Sequence, residues 1–109
     1  MRSLSTHVLD AVSGEPAAGV RVVLSRRDGG AWTELATAET DADGRVRELA
    51  AGLADGDHRL VFDTAAHFAA TGTTGFYPEV SVVFTVTGDR HLHVPLLLSP
   101  YAFSTYRGS

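Results

Sequence analysis

The sequence predicts an all-β protein, an antiparallel β-sandwich of about eight strands in two sheets with one short helix. Two observations predict the strands. Short runs of β-branched and apolar residues recur along the chain, and Gly, Pro and Asp turns separate them. The turns come roughly every ten residues, which is the spacing of sandwich folds. A third observation predicts the helix: only the stretch around Ala65-Ala66-His67-Phe68-Ala69-Ala70 is built from helix formers. No linker, repeat or low-complexity tract interrupts the pattern, so residues 1–109 read as a single domain.

The first strand spans 4–11 and ends at the turn residues Ser13-Gly14-Glu15-Pro16. The second, 20–25, is closed by Arg27-Asp28-Gly29-Gly30, and the third is 31–38. Thr40-Asp41-Ala42-Asp43-Gly44 is a tight turn: its carboxylates can hold their own backbone, and Gly44 supplies positive φ. A strand at 45–49 follows, then a loop at 50–57 and a strand at 58–62. Asp63 or Thr64 can cap the helix, which ends near Gly72. The remaining strands are 80–86, 90–98 and 102–106, the first two joined by Thr87-Gly88-Asp89.

Composition narrows the functional classes. The net charge of −4 offers no basic footprint, so no nucleic-acid partner is expected. The absence of cysteine removes disulfides, thiolate metal sites and cysteine nucleophiles together. No stretch approaches the roughly 18 apolar residues that span a bilayer, and residues 1–7 carry no apolar leader. The expectation is a cytoplasmic protein with no membrane partner. A domain of this size buries only roughly 60–70% of its unfolded surface, and such subunits often gain further core by oligomerising.

Alternation along the strands sorts their faces. His91, His93 and Pro95 share one face, and Leu92, Val94 and Leu96 share the other, which is the core side. His7 lies with Ser5 and Leu9, opposite Thr6 and Val8. Ser104 and Tyr106 lie opposite Phe103 and Thr105, which supply the core side of the last strand. If the first and the 90–98 strands are neighbours, their histidines line one outer surface.

The residues able to do chemistry are therefore His7, Arg45, His91, His93, Tyr106, Arg107 and Ser109. Histidine takes and returns protons near neutral pH. Arginine keeps its charge and offers planar paired donors. Opening a cyclic amide or imide needs both a base for water and donors for the developing oxyanion. The residues also admit other readings. His91-x-His93 with His7 could be a zinc set. Arg45 beside its turn could be a solvated hairpin arginine. Asp41 and Asp43 lack the downstream acid of a calcium loop and read as a turn. His58 and His67 read as structural or exposed, and Trp32, Phe62, Phe68, Phe76 and Phe84 as core. The turn grammar itself is shared with sandwich modules that only bind or support.

The chain resembles the 5-hydroxyisourate hydrolases, transthyretin-like enzymes of urate breakdown, over essentially its whole length. Leu4-Ser5-Thr6-His7-Val8-Leu9-Asp10, Gly14-Glu15-Pro16-Ala17, the turn at 40–45 and Phe76-Tyr77-Pro78-Glu79 carry the likeness. So do His91-Leu92-His93-Val94-Pro95-Leu96-Leu97-Leu98-Ser99-Pro100 and the terminal Tyr106-Arg107-Gly108-Ser109. The resemblance implies a transthyretin-like (prealbumin-like) sandwich that hydrolyses 5-hydroxyisourate to 2-oxo-4-hydroxy-4-carboxy-5-ureidoimidazoline without a cofactor or metal. It implies catalytic roles for His7, Arg45, His93 and Ser109. Tyr106, Arg107, Gly108 and His91 would contact or enclose the substrate. It further implies a homotetramer, a dimer of dimers, with sites between subunits. Transthyretin, a hormone carrier of the same fold, lacks a histidine at the position of His93 and lacks the terminal tetrapeptide. That leaves a carrier of small hydrophobic ligands, or a non-catalytic module, as the alternative.

Overall fold

The computed structural model describes residues 2–108. In chain order its strands are β1 (Leu4–Asp10), β2 (Glu15–Pro16), β3 (Arg21–Asp28), β4 (Ala31–Glu39), β5 (Arg45–Ala50) and β6 (Gly56–Phe62). Helix α1 (Thr64–Ala70) follows, then β7 (Val80–Val86), β8 (Leu92–Ser99) and β9 (Ala102–Thr105). One sheet has the order β2-β1-β8-β9, with β5 also paired to β1, and the other has the order β4-β3-β6-β7. The helix and all strands but one stand where local chemistry puts them, with ends moved by pairing. Glu15 and Pro16, expected as turn residues, instead form β2 because they pair with Asp10 and Leu9 of β1. β3 runs past Ser25 to Asp28 because Arg26 and Arg27 find partners in Thr33 and Trp32 of β4. β6 begins at Gly56, inside the expected loop, because Gly56 pairs with Val86. β8 starts at Leu92, so His91 stands just before the strand.

The sandwich closes on Val8 and Leu96, which alternation assigned inward, and on the apolar side chains that pack with them. Leu4, Val8, Val22, Leu24, Leu60, Phe62, Leu96 and Leu98 have lost all solvent contact. Each such side chain contributes about 1.5–3 kcal/mol of hydrophobic stabilisation. Asp63 caps α1, its carboxylate accepting from Ala66 N at 3.2 Å, and Phe68 pins the helix to the core. Three aromatic expectations are corrected. Phe103, expected with Thr105 on the core side of the last strand, is exposed with the rest of β9, which forms the edge of its sheet. Phe76 is 68% exposed, in the segment that leads from α1 to β7, where its backbone N–H donates to Pro100 O at 2.7 Å. Trp32 lies outside the core because its partner across the ladder is Arg27. Its indole instead lies 4.7 Å from the Arg27 guanidinium and 4.6 Å from that of Arg59.

One pairing departs from the antiparallel rule. β1 and β8 run parallel, with Ser5 opposite His93 and His7 opposite Pro95. A parallel pair needs a long crossover, and here the crossover is nearly the whole intervening chain. This is the contact that positions the site.

Candidate active site

The turn Asp41-Ala42-Asp43-Gly44 feeds β5 onto β1. Asp41 Oδ1 accepts from the backbone N–H groups of Asp43 and Arg45 at 2.8 and 3.0 Å. Those bonds, that of Arg45 first, hold its carboxyl below the usual range. Gly44 has φ +73°, and its carbonyl accepts from Val8 N at 2.8 Å. A Cβ there would lie 2.5 Å from the Val8 oxygen, so only glycine lets the turn approach this closely. The approach sets Arg45 directly opposite His7. Arg45, His7 and Pro95 thereby form one row across β5, β1 and β8.

Ser5 and His93 form the next row, and the tail completes it. β9 pairs with β8 from Ser99 to Leu96. Pro95 has no N–H, so the ladder skips a step there, and its carbonyl accepts from Thr105 Oγ1 at 2.7 Å. Pairing resumes beyond it, where Gly108 N donates to His93 O at 2.8 Å. A Cβ on Gly108 would meet His93 Cδ2 at 2.5 Å, so the tail lies flat against the imidazole. Ser109 lies outside the described residues. Tyr106 is exposed. Arg107 lines a cleft of about 300 Å³ at the open side of the sandwich, with Val82, Phe84, Leu92 and Val94 on its walls.

The structure thus gathers His7, Arg45, His93 and Gly108 on the outer side of one sheet. It also brings in two residues that the sequence reading left without a role. Ser5 Oγ is within hydrogen-bond distance of both His93 Nδ1, at 2.7 Å, and His91 Nε2, at 2.8 Å. Ser3 Oγ lies 2.5 Å from His91 Nδ1. Both nitrogens of His91 are therefore engaged by serine hydroxyls. The signal for Ser5 was present, since it shares a face with His7, but its value depends on which strand lies beside it.

His93 is the group whose acidity is tuned. Burial, then the charges of Arg45, His7 and His91, push its pKa below the ordinary 6.5, with Ser5 pulling weakly the other way. The imidazole is therefore neutral at pH 7 and able to accept a proton. Arg45 forms no ion pair with a carboxylate among the described residues, which leaves its guanidinium for an anionic or polarised ligand. Among the described residues, no group of three or more His, Cys, Asp or Glu side chains is disposed to hold a metal ion. A neutral base beside a guanidinium with no ion-pair partner among the described residues is equipped to activate water against a carbonyl.

With this geometry in hand, known proteins resemble the chain throughout. The model of the HIUase/Transthyretin family matches residues 4–108. The 5-hydroxyisourate hydrolase of Caulobacter vibrioides is 53% identical, with 100% of both chains covered. The solved structure of Klebsiella pneumoniae 5-hydroxyisourate hydrolase superposes with a TM-score of 0.89 at 41% identity, covering 100% of both chains. Sea bream transthyretin, solved in complex with thyroxine, superposes with a TM-score of 0.93 at 37% identity, covering 97% of this chain and 94% of its own.

Proposed function

As this chain belongs to the HIUase/transthyretin family, we propose that it hydrolyses 5-hydroxyisourate in urate degradation. The observation that carries this reading is the meeting of a neutral, half-buried His93 with Arg45 and His7 on one sheet face. Those are the two functions that cyclic-amide hydrolysis needs, a base and an oxyanion partner. His93, oriented with His7, takes a proton from water. The water oxygen bonds to the ring carbonyl carbon, and Arg45 donates to the oxygen that becomes negative. The C–N bond then breaks, the nitrogen receives the proton from the imidazole, and 2-oxo-4-hydroxy-4-carboxy-5-ureidoimidazoline leaves. The residue set needs no resident metal or organic cofactor for these steps. Tyr106, Arg107, Gly108 and Ser109 would shape and close the pocket.

The working assembly in this reading is a homotetramer, a dimer of dimers, acting in the cytoplasm. Its support is the small subunit and the half-buried Leu9 and Leu97 that accompany the histidines on the outer face. No helix among the described residues is long and apolar enough to cross a membrane.

The direct test is the ultraviolet decay of freshly made 5-hydroxyisourate. Folded protein is expected to accelerate it without added metal. Decay at the buffer rate, together with saturable thyroxine binding by calorimetry, would instead make the chain a carrier. Activity lost to a chelator and restored by zinc would make the histidines ligands.

A further inference from the structure

Four side chains form an unbroken line along the parallel β1/β8 pair. Ser3 Oγ lies 2.5 Å from His91 Nδ1, His91 Nε2 lies 2.8 Å from Ser5 Oγ, and Ser5 Oγ lies 2.7 Å from His93 Nδ1. The line runs from the exposed His91 and the partly exposed Ser3 to the buried Ser5 and half-buried His93. No described residue bonds His93 Nε2, which is the nitrogen left to face a substrate.

Hydrogen counting gives two neutral states in which Ser5 donates to one histidine and accepts from the other. A serine hydroxyl has one proton, and a neutral imidazole carries a proton on one nitrogen only. In the first state His93 Nδ1–H donates to Ser5, Ser5 donates to His91 Nε2, and His91 Nδ1–H donates to Ser3. His93 Nε2 is then bare and basic. In the second state every bond is reversed: Ser3 donates to His91 Nδ1, His91 Nε2–H donates to Ser5, and Ser5 donates to His93 Nδ1. His93 Nε2 then carries a proton. In the other arrangements both imidazoles donate to Ser5, so that its own hydrogen leaves the line, or both present bare nitrogens to it, so that one contact lacks a hydrogen. Transfer along the line therefore runs between the two states in which Ser5 donates to one histidine.

We propose that Ser3, His91 and Ser5 form a proton relay from solvent to the rear nitrogen of His93, with Ser5 as the positioning residue that couples the two histidines. A proton arriving at His93 Nε2 from water releases the Nδ1 proton to Ser5. Ser5 passes its own to His91 Nε2, His91 passes its Nδ1 proton to Ser3, and Ser3 sheds one to solvent. One proton enters and one leaves, and the line ends in the second state. His93 Nε2–H then protonates the departing ring nitrogen, and the reverse passage restores the base. His93 thereby alternates between base and acid without remaining an imidazolium. That matters here because the groups facing it, Arg45 on β5, His7 on β1 and His91 before β8, all disfavour its cationic form. The relay gives His91 a role in moving protons.

The relay rests on the hydrolase reading for its rate effects, but its structural effect is measurable without turnover. The test uses the full chain carrying Ser5→Ala, Ser5→Thr or His91→Phe, each checked for parental circular dichroism and melting. Ser5→Ala and His91→Phe are expected to lower kcat about tenfold to a hundredfold with KM within about twofold. Ser5→Thr, which keeps the hydroxyl, is expected to stay within about threefold of the parent. Nitrogen-15 NMR of histidine-labelled protein reads the tautomers directly. Ser5→Ala and His91→Phe should each change the protonation balance between His93 Nδ1 and Nε2, and Ser5→Thr should not.

Parental kcat in both disruptive variants overturns the relay, as does a fall in kcat with an unchanged His93 tautomer. Should Ser5→Ala not fold, His91→Phe carries both readouts, because His91 is exposed. A parent that fails to hydrolyse 5-hydroxyisourate, yet shows the tautomer response, would defeat the hydrolase reading and leave the relay standing. An active parent whose His93 ignores both changes would do the reverse.

Discussion

At one end of β1, His93 leans on Ser5. At the other end, His67 reaches across from α1 to Asp10, its Nε2 2.9 Å from the carboxylate. Both histidines are partly shielded from water, and each stands beside a cavity of about 300 Å³. The difference lies in what is left over. Asp10 already accepts from Val12 N at 2.9 Å and Ser13 N at 3.2 Å, so with His67 its oxygens are occupied. Burial pushes its pKa up, but the His67 bond and the two amides more than offset this and hold the carboxyl below its ordinary value. No arginine lines that cavity. The pair closes a turn and ties the helix to the strand. His93 is held at Nδ1 only, and Arg45 stands nearby without a carboxylate partner among the described residues. A histidine with its neighbourhood satisfied is a structural tie, whereas one held, among the described residues, at a single nitrogen beside a cation with no ion-pair partner is equipped for chemistry.

The contrast can be broken by substitution. His93→Asn and Arg45→Gln should each lower kcat/KM for 5-hydroxyisourate by about a hundredfold to ten-thousandfold. Their melting temperatures should stay near the parent's. A mild rate effect from either would remove the distinction between the two ends.

Changes to the tail should come next. Removing residues 106–109, or making Gly108→Ala, should cost roughly a hundredfold in turnover, because an ångström of misplacement carries about that penalty. The truncation should fold, since β9 is exposed throughout and its pairing with β8 ends at Thr105. The Gly108→Ala methyl would displace the His93 ring that it meets at 2.5 Å. A folded, fully active truncation would separate the tail from the site.

The opposite end should answer in stability alone. Asp10→Ala should lower unfolding free energy by about 1–3 kcal/mol, from the lost charged hydrogen bonds, and leave kcat unchanged. The sign with pH follows from the lowered carboxyl pKa. The parent's advantage over Asp10→Ala is fully present above the unfolded carboxyl value of about 3.9 and is lost as pH falls through the lower folded value. Chemical denaturation at neutral and acid pH measures both.

The smallest effect sharpens the comparison from the chemical side. His93 should titrate below 6.5 by NMR. Its pKa should rise in Arg45→Gln, because the removed cation disfavours the imidazolium. An unchanged His93 titration would mean that Arg45 does not act on the ring.

Nearly all the strands, the helix cap and the split of β1 and β8 into a core and an outer face were legible in the sequence, because period-two alternation, Asp caps and Gly turns are local. Local chemistry therefore determined that Leu92, Val94 and Leu96 point inward and that His7 and His93 point out. It also marked Gly44 as the glycine of its turn. Local chemistry could not determine neighbours. The parallel register of β1 on β8, Ser5 lodged between two histidines 86 and 88 residues away, and Asp10 held by His67 57 residues on were decided by the tertiary structure alone. So was the exposure of Phe76 and the placement of Trp32 between arginines. The physical reason is that a side chain's direction follows from its own backbone, whereas its partners depend on which distant strand the buried faces bring alongside it.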